Sequence, residues 1–230
     1  MDRYIVQTPV MAERLGRRYA IPEERIHVVA QPAPTRAEVG DLAADSRIAA
    51  CPKPHRLLFL AVGYPHKNHA VLENVVCELS RRGLSRKVQI FVTLDPHEVS
   101  PGLAEVLRRH RDVVTNLMRL PYTEVGGALN ASTALFLPSF AESYGLVYVE
   151  ALAAGLPILT SDRDFARWMC GDLAVYFDPL NASSIVDALE AYPRMLARGA
   201  DFELRAAERL QRFPRAWSDV AATFLAITAG

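Results

Sequence analysis

The sequence predicts an α/β protein with a doubly wound parallel sheet, and three features carry that prediction. Continuous apolar runs, such as Leu57-Leu58-Phe59-Leu60-Ala61-Val62 and Ala134-Leu135-Phe136-Leu137, suit strands covered on both faces. Between such runs lie stretches with apolar residues at helical spacing, as in Val71, Leu72, Val75, Val76 and Leu79. From residue 56 to residue 177 the two kinds of segment alternate. That alternation implies parallel strands joined by right-handed helical crossovers.

The elements follow in order. Tyr4-Ile5-Val6 is a short strand. Thr8-Pro9 reads as a helix start, with a hydroxyl cap followed by proline at the first helical position, and the helix ends near Gly16 or Tyr19. Ile26, Val28 and Val29 form a second strand. Residues 31–55 change character. Pro32 and Pro34 at one end, and Pro52 and Pro54 at the other, favour extended backbone and a linker. A boundary is expected here, dividing the chain into 1–55 and 56–230.

Beyond it come a strand over 57–62, a helix ended by Gly83, and a strand over 88–92. A helix over 103–110 precedes a weaker strand over 113–120. A helix over 124–130, a strand over 134–137, a helix over 146–154, and strands over 157–160 and 174–177 complete the alternation. Asp162 and Asp164, on either side of Arg163, read as a helix cap. The tail from Ser183 is expected to be helical in three pieces.

Length and composition narrow the function. A chain of 230 residues supports one good-sized core but is small for two full α/β domains. Lysine plus arginine equals aspartate plus glutamate, 26 each, so no whole-chain electrostatic case exists for nucleic acid. The basic run Arg108-Arg109-His110-Arg111 suits the solvated C-terminal end of a helix. A membrane-surface role is its alternative, and would put the chain peripherally at the inner membrane face. Cys51, Cys77 and Cys170 stand far apart, so neither a metal site nor a disulfide framework is expected. With no apolar leader or spanning run, the reading is cytoplasmic.

The chemistry concentrates in residues 138–159, PSFAESYGLVYVEALAAGLPIL. The stretch reads as strand end, loop, helix and next strand, and ligands of open α/β sheets sit beyond the carboxyl ends of strands. Gly145 lets backbone approach a ligand closely, and the helix start offers N–H groups to an anion. Glu150 lies among Val147, Tyr148, Val149, Ala151 and Leu152. A carboxylate on so apolar a helix is costly to bury unless it is paired. Alone, Glu150 and Glu142 would each read as solvated residues. Together, they flank a glycine and a helix start.

On these residues the sequence resembles retaining glycosyltransferases of the GT-B fold, particularly glycosyltransferase family four, whose E-x7-E motif Glu142 and Glu150 match. The resemblance implies a Rossmann-like GT-B C-terminal lobe that binds a nucleotide-sugar donor and passes the sugar to a glycan or lipid-linked acceptor. No further cofactor or obligatory metal is implied. It gives Glu150 the ribose hydroxyls and Glu142 the donor-sugar hydroxyls, with the backbone of Tyr144, Gly145 and Leu146 meeting sugar and phosphate. Lys67, in Tyr64-Pro65-His66-Lys67-Asn68, matches the family's diphosphate-binding lysine, and is expected where the next helix begins. Leu120 and Tyr122 fall where the family reads the base. Val62 stands where the family usually has an arginine, which thins the cationic support for the leaving group.

The resemblance covers the second half of the family, and residues 1–30 match only the end of the first lobe. Arg215-Ala216-Trp217-Ser218-Asp219-Val220 resembles the family's terminal helix. Two alternatives stand beside the transferase reading. One is a non-catalytic nucleotide-binding subunit or truncated remnant, served by a separate N-terminal lobe or by self-association. The other is a GT-B epimerase, against which the E-x7-E wording argues.

Overall fold

The computed structural model describes residues 2–39, 42–197 and 199–229. Two parallel strands, β1 (Tyr4–Val6) and β2 (Ile26–Val28), open the chain around helix α1 (Pro9–Tyr19). The Thr8 hydroxyl accepts the Met11 N–H at 3.1 Å and caps α1. Short helices α2 (Arg36–Val39) and α3 (Ser46–Ala49) lead to the main sheet. There follow β3 (His55–Phe59), α4 (Val71–Arg81), β4 (Val88–Val92), α5 (Pro101–Arg109) and β5 (Val114–Asn116). After these come α6 (Tyr122–Ala131), β6 (Ala134–Leu137), α7 (Leu146–Ala153), β7 (Ile158–Ser161), α8 (Asp164–Cys170) and β8 (Ala174–Phe177). The tail holds α9 (Ala182–Ala191), α10 (Pro193–Leu196), α11 (Ala200–Leu210) and α12 (Trp217–Ala229).

The six main strands are all parallel, in the order β5-β4-β3-β6-β7-β8. Every residue of β4, β6 and β7 is buried, as in strands covered on both faces. Chain order runs outward from β3 in one direction and from β6 in the other. The crevice between those two strands is therefore the sheet's switch point.

Several boundaries differ from the sequence reading, each for a local reason. β3 stops at Phe59, the last residue in register with β4, and beyond it the Ala61 N–H turns to the Thr93 hydroxyl at 3.2 Å. β5 keeps three residues, since the Asn116 side chain takes over the ladder by exchanging hydrogen bonds with the Leu94 backbone, both at 3.0 Å. The stretch expected to be extended carries α2 and α3, docked on α6. A side chain at Gly126 would place its Cβ 2.8 Å from the Val39 carbonyl oxygen, and one at Gly127 would come within 2.5 Å of the Ala43 carbonyl oxygen. Those two glycines create the seat.

Asp164 accepts the Phe165 N–H at 2.8 Å and pairs with Arg14, while Asp162 pairs with Arg167 at 2.7 Å. Pro193 splits the tail into one more helix than expected. Arg108 and Arg109 end α5, both paired with Glu105. Among the described residues no helix is long and apolar enough to cross a membrane.

Candidate functional site

The loops after β3 and β6 meet over the switch point. Phe140 N–H donates to the His66 carbonyl at 2.8 Å. The buried Asn68 amide donates to two carbonyls, Pro138 at 3.1 Å and Pro179 at 3.0 Å. Asn68 also ends a 3-10 turn, Pro65–Lys67, at φ 62°, in the left-handed region that asparagine tolerates better than most residues. One side chain thus ties together the loops after three strands. Sequence reasoning passed over it, although an asparagine between a basic pair and a helix start is a usable sign of such a turn.

Lys67 does not sit on the first turn of α4, where the sequence placed it. It closes the 3-10 turn, and α4 begins only at Val71. Its ammonium instead meets Glu142, with Nζ 2.8 Å from Oε1 and 2.7 Å from Oε2. The two side chains are 17% and 6% exposed, so the pair is largely withdrawn from water. His69 follows in the same loop. It stacks on Phe59 with ring centroids 4.1 Å apart, and burial together with the Lys67 charge pushes its pKa down to about 4. It is therefore neutral, which leaves Lys67 and the exposed His66 as the basic side chains of this loop.

Gly145 opens α7 at φ 80°. A Cβ there would lie 2.6 Å from the Tyr148 ring, so the position demands glycine twice over. Tyr148 braces the helix from beneath. Its hydroxyl meets Thr160 Oγ1 at 2.7 Å, and Thr160 donates to the Leu137 carbonyl at 3.0 Å. The first-turn N–H groups of α7 therefore hang on a fixed frame, beside the Lys67–Glu142 pair. The Tyr144 side chain has another task. It is buried, its hydroxyl donates to the Gln31 carbonyl at 2.7 Å, and its ring meets Phe213 edge-on.

Glu150 is 5% exposed. Among the described residues no hydrogen bond or ion pair reaches its carboxylate, and burial pushes its pKa up to about 7. It borders a cavity of about 620 Å³ shared with Tyr122, Thr123, Leu146, Arg215 and Trp217. A buried carboxylate without donors is costly, and a ligand with vicinal hydroxyls would supply them. Tyr122 stands 72% exposed on this cavity, whereas Leu120 packs against the margin of the core and does not line it. The structure thus gathers Glu150, Leu146 and Tyr122 around one cavity and pairs Lys67 with Glu142, and α7 links the two groups. Among the described residues no group of three histidine, cysteine or carboxylate side chains is placed to hold a metal ion.

Residues 47–194 match the family model described as Glycosyl transferases group 1. A D-inositol 3-phosphate glycosyltransferase of Catenulispora acidiphila is 30% identical over 236 residues, covering 96% of this chain and 54% of that relative. The chain spans about half the length of that relative and 38% of the one from Nocardia farcinica. Among solved structures, a glycosyltransferase from Rickettsia africae superposes with a TM-score of 0.77 at 13% identity, over 99% of this chain and 63% of that one. The UDP-forming α,α-trehalose-phosphate synthase of Burkholderia vietnamiensis gives 0.75 at 14% identity, over 100% and 59%. At such identities these likenesses concern the fold, which is that of a GT-B lobe.

Proposed function

From a chain that belongs to the glycosyl transferases group 1 family, we propose a donor-binding lobe that holds a nucleoside diphosphate sugar at the switch point of its parallel sheet. The observation that carries this reading is Glu150, a buried carboxylate without a partner among the described residues, on the wall of a roomy cavity. Ribose offers two adjacent hydroxyl donors, and an ionised carboxylate can accept both. The diphosphate then falls at the start of α7, where free N–H groups and the Lys67 ammonium face developing negative charge. Lys67 is held ready by Glu142, and Glu142 lies beside Gly145, within reach of the donor sugar. In this assignment the backbone of Tyr144, Gly145 and Leu146 meets sugar and phosphate, and the exposed ring of Tyr122 borders the base.

In the transfer step the bond between the anomeric carbon and the diphosphate oxygen breaks, and the nucleoside diphosphate leaves with the electron pair. The acceptor hydroxyl adds to that carbon and gives its proton to the departing diphosphate oxygen. Lys67 and the α7 amides offset the charge on the leaving oxygen, and no metal is required for this. Val62 contributes no cation, so Lys67 carries an unusually large share. We assign retention of anomeric configuration on the strength of the resemblance to retaining GT-B glycosyltransferases that Glu142 and Glu150 carry. The acceptor, a glycan or a lipid-linked saccharide, would bind to a second lobe facing this one, and residues 1–55 would form the edge of that lobe and the linker. That lobe would be supplied by a longer chain or by a separate protein.

A thermal-shift screen against nucleoside diphosphate sugars tests the reading, followed by calorimetric titration. At least one donor should raise the melting temperature and bind with one-to-one stoichiometry. Indifference to every nucleotide would overturn the proposal. The anomeric configuration of product formed with the second lobe present tests retention.

A further inference from the structure

We propose that Trp217 is a donor-binding residue whose indole packs on the nucleobase while Glu150 holds the ribose. The inference rests on the donor-lobe reading and adds to it a residue from the far end of the chain. Trp217 begins α12 and lines the same cavity as Glu150, Leu146 and Tyr122. It is 65% exposed there, a large aromatic surface left in water beside a buried carboxylate. The chain's other tryptophan is packed, with Trp168 edge-on to Phe213 at 5.8 Å.

The segment carrying Trp217 is fixed before any ligand arrives. Ala33 N–H donates to the Pro214 carbonyl at 3.1 Å, tying the lead-in of α12 to the segment ahead of α2. Asp219 accepts the N–H groups of Arg215 at 3.2 Å and Ala216 at 3.1 Å, closing the turn into α12. These backbone hydrogen bonds place the start of α12, and with it the indole, at the cavity rim.

The chemistry of the cavity selects the occupant. An acyl chain would cover Glu150 without offering it a donor, which leaves the cost of burial in place. A nucleoside brings hydroxyls for Glu150 and a flat π face for Trp217 and Tyr122. Stacking depends little on base identity, so this contact sets affinity for nucleosides as a class.

Tryptophan emission tests the inference directly. Trp168→Phe leaves Trp217 as the reporting indole, since the chain has two tryptophans. Uridine, guanosine, their diphosphates and inorganic pyrophosphate are titrated in turn, with calorimetry in parallel. Saturable change in Trp217 emission is expected with a nucleoside and its diphosphate, and none with pyrophosphate. Trp217→Ala should weaken the diphosphate about tenfold, the scale of one base–aromatic stack, and Trp217→Phe should restore most of that loss. Should nucleotide bind calorimetrically while emission and the Trp217→Ala affinity stay unchanged, the inference falls and the donor-lobe reading stands. Should no nucleotide bind at all, both fall. If Trp217→Ala does not fold, emission from the Trp168→Phe protein decides alone.

Discussion

Glu142 and Glu150 are carboxylates at either end of one short stretch, both withdrawn from water, yet their surroundings are opposite. Glu142 has the Lys67 ammonium 2.7 Å away. Glu150 has no partner among the described residues, and its pKa is pushed up to about 7 by burial alone. The first is a completed contact. The second is an unfinished one on the wall of a cavity, and unfinished polar contacts are where function is expected. In the proposed reading the comparison orients the donor, with its diphosphate toward Lys67 and its ribose toward Glu150.

The largest expected effect comes from breaking the joint between the two. Gly145→Val puts a branched side chain at φ 80° and drives it into the Tyr148 ring. Left-handed backbone costs a non-glycine residue about 1–2 kcal/mol, and overpacking adds about 1–3 kcal/mol. Urea denaturation should show a loss of roughly 2–5 kcal/mol, with nucleotide binding abolished. A loss below about 1 kcal/mol would mean that α7 can shift to accommodate the side chain.

Glu150→Gln sharpens the contrast by removing the unpaired charge. The folded-state pKa of about 7 lies above the ordinary carboxyl value of 4.5. Glu150 therefore destabilises the fold progressively as pH rises from about 4.5 to 7, and the full penalty persists above that. At about 1.4 kcal/mol per unit the penalty reaches up to about 3 kcal/mol. The variant should be more stable than the parent at pH 8, equal to it near pH 4.5, and weaker in nucleoside binding. A gain that does not change with pH would show that ionisation of Glu150 is not its cause.

Lys67→Met converts Glu142 into a second Glu150. Stranding a largely buried carboxylate should cost about 1–3 kcal/mol. Adding Glu142→Gln should recover most of the loss, and a double-mutant cycle with no coupling would show that the pair contributes nothing. Asn68→Ala loosens the loop beneath Lys67. It should cost about 1–2 kcal/mol from two lost hydrogen bonds and weaken diphosphate binding more than nucleoside binding. Equal weakening of both would make Asn68 merely structural.

The sheet was legible in the sequence because it is built from runs such as residues 134–137, apolar on both faces and needing no distant information. The seat of α2 and α3 was not. Those helices depend on two glycines in α6, about eighty residues downstream, that leave space for the backbone at residues 39 and 43. The E-x7-E spacing made Glu142 and Glu150 visible as candidates, but not their difference. The Lys67–Glu142 pair spans 75 residues of chain, and the donor-deprived state of Glu150 exists only once α7 is packed. The presence of Trp217 on the cavity rim is likewise a tertiary fact with no local sign.

Calorimetric titration of Lys67→Ala and Glu150→Ala with a nucleoside and its diphosphate tests the central claim most directly, at pH 8, where Glu150 is ionised. Lys67→Ala should lose affinity for the diphosphate and keep its affinity for the nucleoside. Glu150→Ala should lose affinity for both by a similar factor, about 1.5–3 kcal/mol, the worth of hydrogen bonds to a charged group. Equal losses for both ligands in Lys67→Ala, or unchanged affinities in Glu150→Ala, would contradict the assignment of the two ends of the donor.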